Sequence, residues 1–148
     1  MIRKNQYDEK QMYDRGKAFQ AGFFSAILTI FVVFLMTDML GISIDSYAVF
    51  LITLWIPMTS CFIMLIVKDA YDGVNSSAGK FVLSIYGMSG FITLSLTLIN
   101  ISIGKENFFS SGYITDSVGH IFSGTCMVAT SIVYWVKQRV NRNKYCDE

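Results

Sequence analysis

The sequence predicts an all-α integral membrane protein, a four-helix transmembrane bundle built from two hairpins. Three observations predict it. Four stretches contain no Asp, Glu, Lys or Arg: residues 18–37, 46–67, 81–104 and 117–136, which are 20, 22, 24 and 20 residues long. A helix rises about 1.5 Å per residue, so roughly 20 apolar residues cross a hydrocarbon core of about 30 Å. Composition agrees, with 53% of the 148 residues hydrophobic, 16% charged and a mean hydropathy of +0.45. A soluble helical domain would spread its charges along amphipathic helices, whereas here they gather between the apolar runs.

The third observation is where the basic residues fall. The first segment (Arg3, Lys4, Lys10, Arg15, Lys17), the middle connection (Lys68, Lys80) and the tail (Lys137, Arg139, Arg142, Lys144) hold eleven of the twelve, and Lys105 alone lies elsewhere. Lysine- and arginine-rich connections stay on the side of synthesis. The expected topology is therefore multi-pass in the cell membrane with both termini cytoplasmic, and connections 38–45 and 105–116 facing outward. Connections of at most 13 residues make the chain one transmembrane domain, 1–148, with a cytoplasmic N-terminal segment 1–17 and a cytoplasmic tail 137–148. The residues after the first apolar run, Asp38, Met39 and Leu40, lack the small-residue pattern of a leader cleavage site, so the first helix is expected to be retained.

Residues 5–17 predict a short cytoplasmic helix leading into the membrane. Asn5 suits its cap, Asp8 and Glu9 suit its first turn, and Lys10 and Asp14 are spaced to pair at i, i+4. Helix one carries Ala18, Gly22 and Ala26 at intervals of four, a stripe that lets another backbone approach closely in lipid. That stripe serves a neighbouring helix, or a second copy in a homo-oligomer. Helix two holds the single proline, Pro57, where a kink is expected. Trp55 at mid-depth is expected to face the bundle with its indole N–H bonded.

Helices three and four are the polar pair. Ser89, Gly90, Thr93 and Thr97, with Tyr86 and Asn100, fall on one face of helix three, and Ser123, Met127, Thr130 and Ser131, with His120, fall on one face of helix four. Hydroxyls are badly placed against lipid, so the stripes are expected to meet each other or line a cavity. Trp135 and Tyr134 form an aromatic belt at the cytoplasmic end. Near the outer end Asp38, Asp45, Asn100, Asp116 and His120 form a candidate polar cluster, in which a histidine beside carboxylates could sense pH or hold a cation. Interface solvation with an Asn100–His120 hydrogen bond is the plainer alternative. Phe108, Phe109 and Tyr113 give the second outer connection an aromatic surface for the headgroup layer or a docking peptide.

Signatures of chemistry are missing. There is no HExxH, GxSxG or CxxC, the one histidine cannot make a multi-histidine site, and the connection 68–80 has neither a calcium-loop nor a phosphate-loop pattern. Cys61, Cys126 and Cys146 do not form a disulfide framework. No catalytic residue, cofactor or metal is assigned, and the basic residues are those that orientation alone requires, so nucleic acid is not an expected partner.

The segment Asp8-Glu9-Lys10-Gln11 followed by Arg15-Gly16-Lys17, directly ahead of the first apolar helix, resembles small uncharacterised four-helix membrane proteins of Gram-positive bacteria. The resemblance implies a regulatory or stress-response role, since such proteins are often encoded beside helix-turn-helix regulators. The expected function is a non-enzymatic membrane protein, regulatory, sensory or accessory, whose partners are the bilayer and a membrane or cytoplasmic protein. A small transporter subunit, channel or holin-like pore acting as an oligomer is one alternative. Immunity against a membrane-active peptide is another.

Overall fold

The computed structural model describes residues 9–71, 77–110 and 112–146. The chain is mostly helical, with four helices: α1 (Glu9–Phe34), α2 (Ser46–Val67), α3 (Ser77–Ser102) and α4 (Asp116–Cys146). Three short strands, β1 (Ser43–Ile44), β2 (Phe109–Ser110) and β3 (Tyr113–Ile114), lie in the two connections at one end. Three segments are long and apolar enough to cross a membrane: Glu9–Met39, Ser46–Val67 and Gly79–Ser102.

The charged residues 9–17 do not form a helix of their own. They are the first turns of α1, because Asp14, Ala18 and Gly22 recur every four residues and are all buried on one face. Asn5 lies outside the described residues. The expected Lys10–Asp14 pair is replaced by a different local contact, the Lys17 ammonium 4.5 Å above the Tyr13 ring.

Both α1 and α3 end by the same device. A π-helical turn, Leu35–Met39, closes α1 with Leu40 N–H donating to Leu35 O at 3.2 Å. Gly41 then adopts φ 64° and Ile42 N–H reaches back to Met36 O at 3.0 Å. At the end of α3, Gly104 takes φ 77° and Lys105 N–H reaches Asn100 O at 3.0 Å. A left-handed residue just past a helix lets the following N–H satisfy a carbonyl of the last turn, and glycine meets no Cβ penalty there.

Gly41 feeds β1, which runs straight into α2, whereas the chain after Gly104 passes through β2 and then β3 before α4 begins. β1 pairs in parallel with β3 (Ser43 opposite Tyr113, Ile44 opposite Ile114), and β2 pairs antiparallel with β3 through a hairpin that turns at Gly112. Parallel strands set α2 and α4 off side by side in the same direction. The helices then form a row: α1 packs chiefly on α2, α2 on α4, and α4 on α3. The two hairpins are therefore joined through their second helices, with α1 and α3 on the flanks.

This position explains the composition of α4, the least apolar of the four. It is sandwiched, so its Ser117, Ser123, Thr130 and Ser131 are buried against protein. By contrast Phe19, Phe23, Phe24 and Phe31 of α1 and Phe81, Met88 and Phe91 of α3 are exposed. Apolar side chains on the outside and small polar ones inside invert the soluble pattern and match helices packed in lipid.

At the end opposite the strands the loop 67–71 gathers three helices. Asp69 takes φ 53° as the left-handed residue beyond α2, and Ala70 N–H closes back on Leu65 O at 2.9 Å. Around it lie two small apolar cores, one of Ala18, Leu65 and Ala70, the other of Ile66, Leu83 and Tyr134.

Candidate functional site

Asp45 precedes α2 and caps it, accepting from Tyr47 N–H at 2.8 Å and Ala48 N–H at 3.4 Å. Its other oxygen accepts from the Tyr113 hydroxyl at 3.0 Å, tying β3 to the start of α2. The Tyr47 amide, then the Tyr113 hydroxyl, hold the Asp45 carboxyl below the usual carboxylate range, and the same carboxylate raises the Tyr113 phenol.

The remaining members of the predicted polar cluster go elsewhere. Asn100 donates through Nδ2 to Glu106 Oε1 at 3.0 Å, and Ser117 Oγ donates to Glu106 Oε2 at 2.8 Å. Glu106, absent from the predicted cluster, thus clasps the end of α3 to the start of α4. Asp116 opens α4 and accepts from Ser117 N–H at 3.0 Å. His120 sets its ring 5.5 Å from the Tyr47 ring, and Asn100 binds Glu106 in place of the expected histidine. Asp38 is exposed on the π-helical turn. Among the described residues no three His, Cys, Asp or Glu side chains converge to hold a metal ion. At this end of the molecule Asp45, Asn100, Asp116 and His120 therefore each make a separate contact, and Asp38 stays exposed.

The packing stripes are brought together. Ala18 and Gly22 are buried against α2, where a Cβ on Gly22 would stand 3.1 Å from Cys61 Cβ and 3.3 Å from Pro57 O. Ala26 is half-buried one turn on, and Ser25 and Ser60 share a hydroxyl hydrogen bond at 3.1 Å. Helix α2 runs unbroken through Pro57. Trp55 places its ring 6.0 Å from Tyr86, and its indole N–H makes no hydrogen bond among the described residues.

Between α3 and α4 the contact is closer. A Cβ on Gly90 would lie 2.6 Å from Met127 Cβ and 2.9 Å from Gly124 O, and one on Gly87 2.6 Å from Ser131 Oγ. Ser89 Oγ approaches Met127 Sδ at 3.9 Å, and Ser131 Oγ donates across to Leu83 O at 2.9 Å. The other hydroxyls serve their own helices. Thr93, Thr97 and Thr130 donate to the carbonyls of Ser89, Thr93 and Cys126 at 2.9–3.0 Å, and Ser123 donates to His120 O at 2.9 Å. The stripes meet through backbone proximity more than through crossing hydrogen bonds.

Gly87, Gly119 and Gly124 are absent from the predicted stripes, although their spacing on the polar faces was the signal that could have found them. Gly119 matters most, because a Cβ there would lie 2.8 Å from Ala48 Cα and so fixes how close α4 comes to α2. A wholly apolar crevice of 360 Å³ opens beside that contact, lined by Leu28, Val32, Ile52, Ile114, Val118 and Phe122 among others. No family model, curated protein or solved structure matches the chain.

Proposed function

We propose that the chain is a non-enzymatic multi-pass membrane protein, with four crossings and both termini cytoplasmic, that acts through protein partners in a regulatory or accessory role. The observation that carries this reading is the pair of charged helix ends gathered at loop 67–71. The first turns of α1 and the last turns of α4 continue beyond the apolar layer and are tied to that loop. Arg15 Nε donates to Ala70 O at 3.0 Å, Lys137 Nζ donates to Val67 O at 2.9 Å, and Lys137 pairs with Asp69 at 2.9 Å. Such a platform offers Met12 and Tyr13, both exposed, and a basic helix end to a partner. The fourth crossing is supported by α4 lying parallel to α2 and sandwiched in the row. The basic bias of this end supports the cytoplasmic placement. The glycine-closed seams between helices favour contact over transport, and the resemblance of residues 8–17 favours a regulatory role.

A photo-crosslinking residue at Tyr13 in native membranes is expected to capture one defined partner that the same residue at Ile103 does not. Protein reconstituted alone into liposomes is expected to leave solute flux at the empty-vesicle level. Flux that is abolished by Gly90→Leu, with no adduct at position 13, would replace this reading by the pore or transporter alternative.

Interception of a membrane-active peptide is a second reading, favoured by one observation. Strand β2 is an edge of the sheet, and Phe109 on it is 67% exposed. Phe109→Ala should then raise peptide sensitivity of the host cell, and unchanged sensitivity removes this reading.

A further inference from the structure

We propose that the α3–α4 face is a binding site for one anionic phospholipid, with its headgroup at the end where α1 and α3 begin and α4 finishes. Two recesses adjoin there. The first, of 670 Å³, is lined by Lys80 of α3 and by Trp135, Gln138, Arg139, Asn141 and Arg142 of α4. Trp135, Gln138, Arg139 and Arg142 fall at i, i+3, i+4 and i+7, so they share one face of the helix. The second, of 380 Å³, is an apolar groove between the two helices, lined by Leu83, Met88, Phe91, Val128, Ile132 and again Trp135. Trp135 belongs to both, so the cationic recess leads directly into the apolar groove.

The groove has a cause in the sequence. Gly87 and Ser131 both line it, and their close contact brings the helices together with no large side chain standing over the seam, leaving a furrow along it. Leu83 to Ile92 gives it a length of about 13 Å along the helix axis. That length and its apolar lining suit part of an acyl chain.

Charge selects the headgroup. Lys80, Arg139 and Arg142 form no ion pair with any described carboxylate, whereas Lys137, on another face of α4, is engaged by Asp69. Three cations with two guanidinium forks suit a phosphate oxygen cluster better than a zwitterionic headgroup, whose positive charge they repel. A tryptophan at the junction of the polar and apolar parts is where the interfacial belt lies. The site rests on the membrane reading above.

The test uses the full chain in nanodiscs of phosphatidylcholine containing a minority of phosphatidylglycerol, with bound lipid measured after transfer to detergent. Phosphatidylglycerol is expected to be enriched in the bound lipid. Arg139→Gln with Arg142→Gln should weaken its retention about thirtyfold, taking roughly 1 kcal/mol for each basic residue. Met88→Trp, which fills the groove without changing charge, should weaken it too. Both variants should keep the parental thermal transition, which separates lost binding from lost folding. Equal retention of the two lipids, or an arginine variant that retains phosphatidylglycerol normally, overturns the proposal. Displacement of the lipid by inorganic phosphate alone also overturns it, since the groove would then contribute nothing. Release of the protein from membranes by carbonate would instead overturn the membrane reading itself.

Discussion

Two buried oxygens among the described residues lack a hydrogen-bond partner, Thr59 Oγ1 on α2 and Tyr86 Oη on α3. They contrast with Thr130, 1% exposed, whose hydroxyl donates to Cys126 O at 2.9 Å. Removing an unsatisfied polar atom relieves a desolvation penalty, whereas removing a satisfied one loses a bond. Thr59→Val should therefore raise stability by about 1 kcal/mol and Thr130→Val lower it by about 1 kcal/mol. Thermal unfolding in a single detergent checks both, and equal signs would count against the orphan assignment. The Asp45–Tyr113 pair makes a pH prediction. A depressed Asp45 adds stability that is present above its unfolded value and lost as pH falls through the folded one. A raised Tyr113 adds stability that is present below its unfolded value and lost as pH rises through the folded one. The pair is then intact from about pH 4 to about pH 10. Asp45→Asn should flatten both limbs of a plot of Tm against pH. Tyr113→Phe should flatten the alkaline limb and leave most of the acid one, because the Tyr47 amide still holds the carboxylate.

At the scale of helices, closeness is set by glycines, and two of them make opposite predictions. Gly119 abuts the Ala48 backbone, so Gly119→Ala forces α2 and α4 apart and should cost about 1–3 kcal/mol. Gly16, within α1, has nothing within 4 Å of where a methyl group would stand, so Gly16→Ala should gain up to about 1 kcal/mol in the same unfolding assay. The charge-free runs located all four helices because the absence of charge over 20 residues is a long-range signal that packing rarely overrides. They located both ends of α2, Ser46 and Val67, but not the charged extensions of α1 and α4. Helix α1 already includes the charged residues Glu9 to Lys17, with Asp14 on the same buried face as Ala18, and α4 continues past Val136 through Lys137, Arg139 and Arg142. The polar cluster was legible as residues sharing a depth, but not as contacts. Glu106 sits beyond α3 in a connection, and only the fold brings it between Asn100 and Ser117.

For the whole molecule, the row α1–α2–α4–α3 means that each hairpin holds its own interface and the two meet along one seam. The seam is chiefly the α2–α4 contact plus the β1–β3 pairing, with Asp45 N–H donating to Ile114 O at 2.9 Å, and Trp55 and Ile66 of α2 also reach Tyr86 and Leu83 of α3. The segments that build it echo each other in sequence, Gly41-Ile42-Ser43-Ile44-Asp45-Ser46 and Gly112-Tyr113-Ile114-Thr115-Asp116-Ser117, each a left-handed glycine followed by an aspartate and a serine at a helix start. In lipid, preformed helices associate through such small-residue contacts, so a hairpin that has already closed can still find its partner. Residues 1–71 and 77–148 produced as separate chains in one cell should accordingly co-purify through a tag on either piece. Gly119→Leu in the second piece should abolish co-purification while both pieces still accumulate in the membrane, because it blocks the seam and leaves each hairpin's own interface intact. If the unaltered pieces fail to associate, the covalent connection holds the hairpins together and the seam does not.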